Sequence, residues 1–320
     1  MAIYQRQCYL FMTLDPVHIG TGGYRLGRVD NSIVREPGTK IPKIPGTSLH
    51  GAARAYAAQL YGTPEAAGQS HDAIEKLDEN PVCYIFGYLE KSKDGDKNNQ
   101  GKAYSGVVNI FDAHILLFPV HSMAGPVWVT TVERLEDAGF TISGDFPSDW
   151  EMGQVVLDWQ RTDPLNLGWL MLGIAGQVSI TPPSEWQNEK RYEAICGKIA
   201  IAQNSLFSQI VNSNLEVRTS VAIEPETGAA SEGALFTYEA IPRATFLTAD
   251  VVLDDYRKAF PSTTLDTTGD SWNNAFNVVN SGFKLIEWLG VGGMGTRGFG
   301  RMAMVGKPLE KVFGKELINE

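Results

Sequence analysis

The chain has 320 residues, 43% of them hydrophobic, enough for one large core or two ordinary ones. No apolar run reaches the length of a membrane span and the start MAIYQRQCYLF lacks a charged-then-apolar leader, so a cytoplasmic protein with no membrane partner is expected. A net charge of −10 and a pI near 5.1 argue against a generic nucleic-acid binder, and Cys8, Cys83 and Cys196, far apart and without CxxC spacing, exclude a disulfide scaffold and a structural zinc site.

Tyr4 to Ile19 reads as a first strand. It enters a loop with glycines at 20, 22, 23 and 27, whose uncovered amides and tolerance of positive φ suit close wrapping around an anion, with phosphate the commonest guest. Charge is uneven here: residues 20–54 carry six Lys/Arg against Asp30 and Glu36, whereas 65–96 carry eight Asp/Glu against three lysines. After Pro42 and Pro45, Gly46-Thr47-Ser48 provide N-cap chemistry for a helix with Leu49, Ala52, Ala53, Tyr56 and Leu60 on one stripe. His50 and Arg54, four apart, are expected on one exposed side near the helix start, where a cation is unfavourable unless an anion neutralises it.

Residues 62–104, with EKSKDGDKNNQGK at their centre, read as an insertion with a mobile tip. Ser105 to Val120 is expected to give one or two core strands, and about 135–215 carries weaker periodicities that leave its pairing unassigned. Leu215 to Phe246 reads as a hairpin turning at Pro-Glu-Thr-Gly, with Val217, Val221 and Ile223 on one arm and Leu235, Tyr238 and Ile241 on the other. Asp270-Ser271 are expected to cap a helix with the stripe Phe276, Val279, Phe283, Ile286, ended by Gly290. A second glycine loop, GVGGMGTRGFG at 290–300, precedes a last strand from Arg301 to Val305. The pieces suit an α+β fold built on a βαββαβ ferredoxin-like unit, with one glycine loop at each end.

Three segments in order, HIGTGG…GRVDNSIVRE…PKIPGTSLHGAAR, RTSVAIEPETGAASEGALFTYEAIP and GVGGMGTRGFGRM, together resemble the RAMP superfamily of CRISPR proteins. FDAHILLFPVHS is similar to the repeated backbone subunit of Cmr-type (type III-B) effector complexes. The resemblance implies one RAMP domain over 1–320: a modified RNA-recognition-motif palm with an extended thumb hairpin at 215–246. It implies copies stacked head to tail on a CRISPR guide RNA beside other type III subunits, with target single-stranded RNA read by base pairing. The thumb would flip a nucleotide out of the guide–target duplex at intervals. Asp30, in the GRVD position, would cut beside it with a divalent metal, Mg2+ being the expected ion. His18 stands as a proton-transfer partner or phosphate contact. RNA contacts are expected at Gly20, Gly22, Gly46, Ser48, His50, Arg54, Arg218, Gly293, Gly295 and Arg297. Relatives carry lysine where SLHGAAR has His50, which shifts weight to Arg54 and the Gly46 and Ser48 amides. Two other readings stay open: an inert guide-binding subunit of a related type III variant, and a stand-alone repeat-processing endoribonuclease.

Overall fold

The computed structural model describes residues 4–22, 29–68, 71–90, 102–148, 150–266 and 268–312. Its frame is a mixed sheet, and the strands needed here are β1 (Gln5–Thr13), β2 (Ala113–Ser122), β3 (Gly125–Thr130), β4 (Gln154–Leu157), β5 (Leu165–Leu167), β6 (Leu170–Gln177), β7 (Ile199–Ile201), β8 (Glu216–Ile223), β9 (Ala230–Ala240), β10 (Phe246–Leu253), β11 (Met302–Met304) and β12 (Leu309–Val312). The sheet runs β5-β6-β4-β7-β3-β2-β10-β1-β11, with β12 also on β1; β8 and β9 form a separate hairpin.

The β1 strand lies between β10 and β11 and is apolar on both faces. Tyr9 and Phe11 point one way, each meeting Phe283 edge-on at 5.1 and 5.3 Å; Cys8 and Leu10 point the other way, into a second cluster with Leu116, Trp128, Trp186 and Tyr192. The strand is shorter than expected. It stops at Thr13, and the next amides, Leu14 and Asp15, turn to the Arg301 carbonyl just before Pro16, which has no N–H to continue a ladder.

Helices α1 (Gly46–Tyr61) and α3 (Ala275–Leu289) cover the Tyr9 face, while α2 (Asn204–Ser213) follows β7. In α1, Leu49, Ala53 and Ala57 are buried, and Ala52, Tyr56 and Leu60 pack partly against the core. The two helices cross closely at Gly282, where an added Cβ would lie 2.4 Å from the Ala53 carbonyl oxygen. Phe276, Val279, Phe283 and Ile286 are buried and Gly290 ends the helix. Its cap is Asn274, in a reciprocal capping box with Asn277, instead of Asp270-Ser271. The reason is local: Ser271-Trp272 is drawn out as a short strand against Thr263-Thr264, and the helix waits for the next cap-competent residue. The final strand is likewise trimmed, to Met302–Met304.

Much of the segment read as an insertion is packed structure. A short helix, Pro81–Phe86, is buried at every residue and capped by the Asn80 side chain, and Tyr88–Glu90 pairs with Lys102–Tyr104. The expected mobile tip lies outside the described residues. Ser105 to Val120 yields two strands, Val108–Ile110 and β2. The unassigned middle supplies β4 to β7, joined to β3 through the parallel β7 and to each other by parallel β6/β4 and antiparallel β7/β4 ladders, and it buries Trp186 and Tyr192 behind β1.

Candidate nucleic-acid interface

The two glycine loops meet. Gly293 N–H donates to the His18 carbonyl and Gly300 N–H to the Pro16 carbonyl, both at 2.9 Å, so the segment after β1 lies directly against the segment after α3. Close approach explains some of the glycines without any guest: a Cβ on Gly292 would sit 2.5 Å from the His18 oxygen, and one on Gly300 2.5 Å from the Val291 oxygen. Gly22, at φ +80°, and Gly295 open onto space, whereas Gly20 and Gly293 pack against the His18 ring. Gly23, Arg25, Gly27 and Arg28 lie outside the described residues.

On its other side the first loop lines the outer edge of β9, and this edge organises the candidate site. Val17 and Ile241 exchange backbone hydrogen bonds, His18 Nδ1–H donates to the Glu239 carbonyl at 2.6 Å, Glu239 N–H donates to the Asn31 carbonyl, and Asn31 N–H donates to the Thr237 carbonyl. Asp30 completes the row. Its Oδ2 accepts from Thr237 N–H at 2.7 Å and from the Thr237 hydroxyl at 2.9 Å, while Asp30 N–H donates to that hydroxyl oxygen at 3.0 Å. Asp30 and His18 are thus anchored two residues apart on one strand, roughly 7 Å along it. The Asp30 side chain stands in solvent, and its carboxyl is held below the usual carboxylate range, first by the Thr237 amide and then by the hydroxyl. His18, in contrast, is only 6% exposed. Its ring is a wall of the loop instead of an open group.

The anchoring is reinforced from behind. Arg35 pairs with Glu239 at 2.8 Å, donates to the Asn212 side chain on α2 and to the Ile33 carbonyl, and so ties the segment following Asp30 to β9. In front, Tyr238 packs edge-on to Phe299 from the C-terminal loop at 5.3 Å. Arg218 lies over the Phe299 ring at 4.7 Å and Arg297 over the Phe236 ring at 5.2 Å, so two guanidinium groups from different elements are brought to the base of the hairpin. Both are exposed, and Arg218 also pairs with Glu216.

The start of α1 differs from expectation. Gly46 N–H donates to Asp112 Oδ1 at 2.7 Å and Ser48 N–H to the Pro45 carbonyl, so the chain's own carboxylate occupies the place expected for a phosphate. Gly46 has a packing reason as well, since a Cβ there would fall 2.3 Å from the Ile110 oxygen. Nor do His50 and Arg54 share an exposed side. The Arg54 guanidinium donates to the Ala66 and Gly87 carbonyls and contacts His71 Nε2 at 2.7 Å, and His50 meets Phe86 edge-on at 5.0 Å, with burial pushing its pKa down. Ala66, His71, Phe86 and Gly87, from beyond the end of α1, close over them, which no spacing within α1 could announce. What stays open is a groove of about 380 Å3 between Thr47, Ser48 and Gly51 of α1 and Gly292 and Gly295 of the C-terminal loop.

Among the described residues no group of three or more His, Cys, Asp or Glu is placed to cage a metal. Asp30 is one carboxylate with Oδ2 already engaged. Such a donor suits Mg2+ only where substrate phosphate and water complete the shell, which is how that ion is ordinarily held. Sequence reasoning missed Thr237, Glu239 and Arg35; the alternation Thr237-Tyr238-Glu239 was visible, but that its polar side meets Asp30 was not. No helix among the described residues is long and apolar enough to cross a membrane.

Comparison with known proteins places the chain as a whole. Cmr4 of Pyrococcus furiosus, named a CRISPR system Cmr endoribonuclease, is 29% identical over 249 residues, covering 73% of this chain and 76% of that protein. The fold is shared with a chain of the type III-B Cmr-beta complex in its apo state (TM-score 0.60, 13% identity, 97% of this chain and 98% of that one) and with oligomeric Cmr4 from Pyrococcus furiosus (TM-score 0.53, 21% identity, 97% and 99%). A model of the RAMP superfamily matches residues 10–303, and the chain belongs to that superfamily.

Proposed function

We propose that the protein is a guide-RNA-binding backbone subunit of a type III-B CRISPR effector complex, and that it cuts target RNA paired to the guide at Asp30. The order β2-β10-β1-β11, with α1 joining β1 to β2 and α3 joining β10 to β11, is read as a ferredoxin-like palm of the RNA-recognition-motif type. The β8–β9 hairpin is its thumb. Its arms carry outward apolar side chains, Ile223 at 63% and Leu235 at 66% exposure, which suit insertion between stacked bases. Further copies and other type III subunits complete the assembly.

One observation carries the catalytic assignment: the solvent-facing Asp30 carboxylate is clamped by Thr237 on the edge of β9, two strand positions from His18, against which Gly293 of the C-terminal glycine loop packs. Strand scission needs in-line attack on phosphorus with developing charge screened. A carboxylate held at low pKa is a weak base at neutral pH, so Asp30 acts through its charge, by orienting the reacting group or a cation, more than by taking a proton. Asp30 together with an RNA phosphate would hold Mg2+, which when bound screens charge at phosphorus. Arg218, Arg297 and the backbone at Gly22 and Gly295, where no side chain stands in the way, grip the RNA backbone; the Ser48 side chain lines the groove; His18 supports the loop. Asp30→Ala in the assembled, guide-loaded complex should abolish target cutting and leave assembly intact. Retained cutting would refute the assignment.

A further inference from the structure

An exposed aspartate ordinarily samples several rotamers, and a catalytic group that does so loses the benefit of fixed geometry. Asp30 is held otherwise, by one residue through three hydrogen bonds. The Thr237 amide and hydroxyl both donate to Oδ2, and the same hydroxyl oxygen accepts from the Asp30 amide, a set of roles that one hydroxyl proton and its lone pairs can satisfy together. Oδ1 takes no part in this clamp. Thr237 is itself a strand residue of β9, facing Thr219 on β8, and its carbonyl accepts from Asn31 N–H. The clamp on Asp30 therefore moves with the hairpin arm.

Resting on the assignment of Asp30 above, we infer that Thr237 is a positioning residue for target cutting, fixing the Asp30 carboxylate through Oδ2 and tying its orientation to the seating of the hairpin. Thr237→Val keeps the β-branched shape and the backbone amide but removes the hydroxyl; Thr237→Ser keeps the hydroxyl.

The test uses the guide-loaded complex carrying each variant, with target binding and single-turnover cutting measured separately. Thr237→Val should cut about tenfold slower or worse at saturating target while target affinity stays at the parent value, and Thr237→Ser should recover most of the rate. Parent-like cutting by Thr237→Val, equal loss of binding and cutting, or failure of serine to rescue would each overturn the inference. Asp30→Ala in the same series keeps the two claims apart, because cutting retained there refutes Asp30 itself. A readout independent of cutting is amide hydrogen exchange in the free chain, where Asp30→Ala should speed exchange at Thr237; unchanged exchange would remove the clamp.

Discussion

Two places in this molecule offer amide and arginine chemistry suited to a phosphate, the start of α1 and the base of the β8–β9 hairpin, and they differ in where the partner comes from. At α1 the partner is internal. Asp112 takes the Gly46 amide, Lys43 lies between Asp112 at 2.6 Å and Glu36 at 2.9 Å, and Arg54 spends its guanidinium on internal acceptors. At the hairpin base the polar groups are held from behind and left open in front, as Asp30 and Arg297 show. The same residue types thus serve stability in one place and a surface in the other, and the difference lies in whether the chain returns to cover them.

The largest effect that would sharpen this contrast is removal of residues 220–232. The loss should shift or erase the regular cutting positions while the palm melts as before; an unchanged cleavage ladder would refute the thumb assignment. Next comes Arg54→Ala, which strands the Ala66 and Gly87 carbonyls and should cost roughly 3 kcal/mol of stability in thermal or denaturant unfolding, with RNA affinity per folded molecule unchanged. Arg297→Ala should do the reverse. It should weaken RNA binding irrespective of sequence, lower the salt dependence of log affinity by about one unit, and leave the melting temperature alone. If Arg54→Ala weakened RNA binding and Arg297→Ala did not, the contrast would be inverted.

The smallest effect is on pH. Burial keeps His50 and His71 neutral in the fold, with pKa below the ordinary value, so the unfolded chain binds more protons and stability falls as pH drops below about 6.5. Asp158 opposes this, because burial raises its carboxyl to about 6, and it gains a proton on folding between that value and the ordinary one near 4. Unfolding measured from pH 7 to 5 should therefore slope less in His50→Gln and more steeply in Asp158→Asn. The opposite pair of slopes would contradict the burial of these groups.

What the sequence disclosed was what depends on near neighbours. The α1 and α3 stripes, the hairpin with its Pro225–Gly228 turn and the pairing of glycine loops with chain ends all follow from spacing over a few residues. What stayed hidden depends on contacts across long separations. Asp112 caps a helix that begins 66 residues earlier, Thr237 clamps a residue 207 positions away, and the Pro81–Phe86 helix disappears into the core although polar sequence surrounds it. The α3 cap shows the same thing at short range, since a two-residue strand at Ser271-Trp272 displaced it to Asn274.

The ladder on the outer side of β9 has a consequence for how the hairpin can vary. Side chains alternate along a strand, so slipping β9 by one residue would put Phe236 or Tyr238 where Thr237 now meets Asp30. Insertions near the root are therefore intolerable, whereas the distal turn around Glu224 to Ala229, closed by its own local bonds, can lengthen or shorten freely. The reach of the finger and the aim of the carboxylate can evolve separately on one arm.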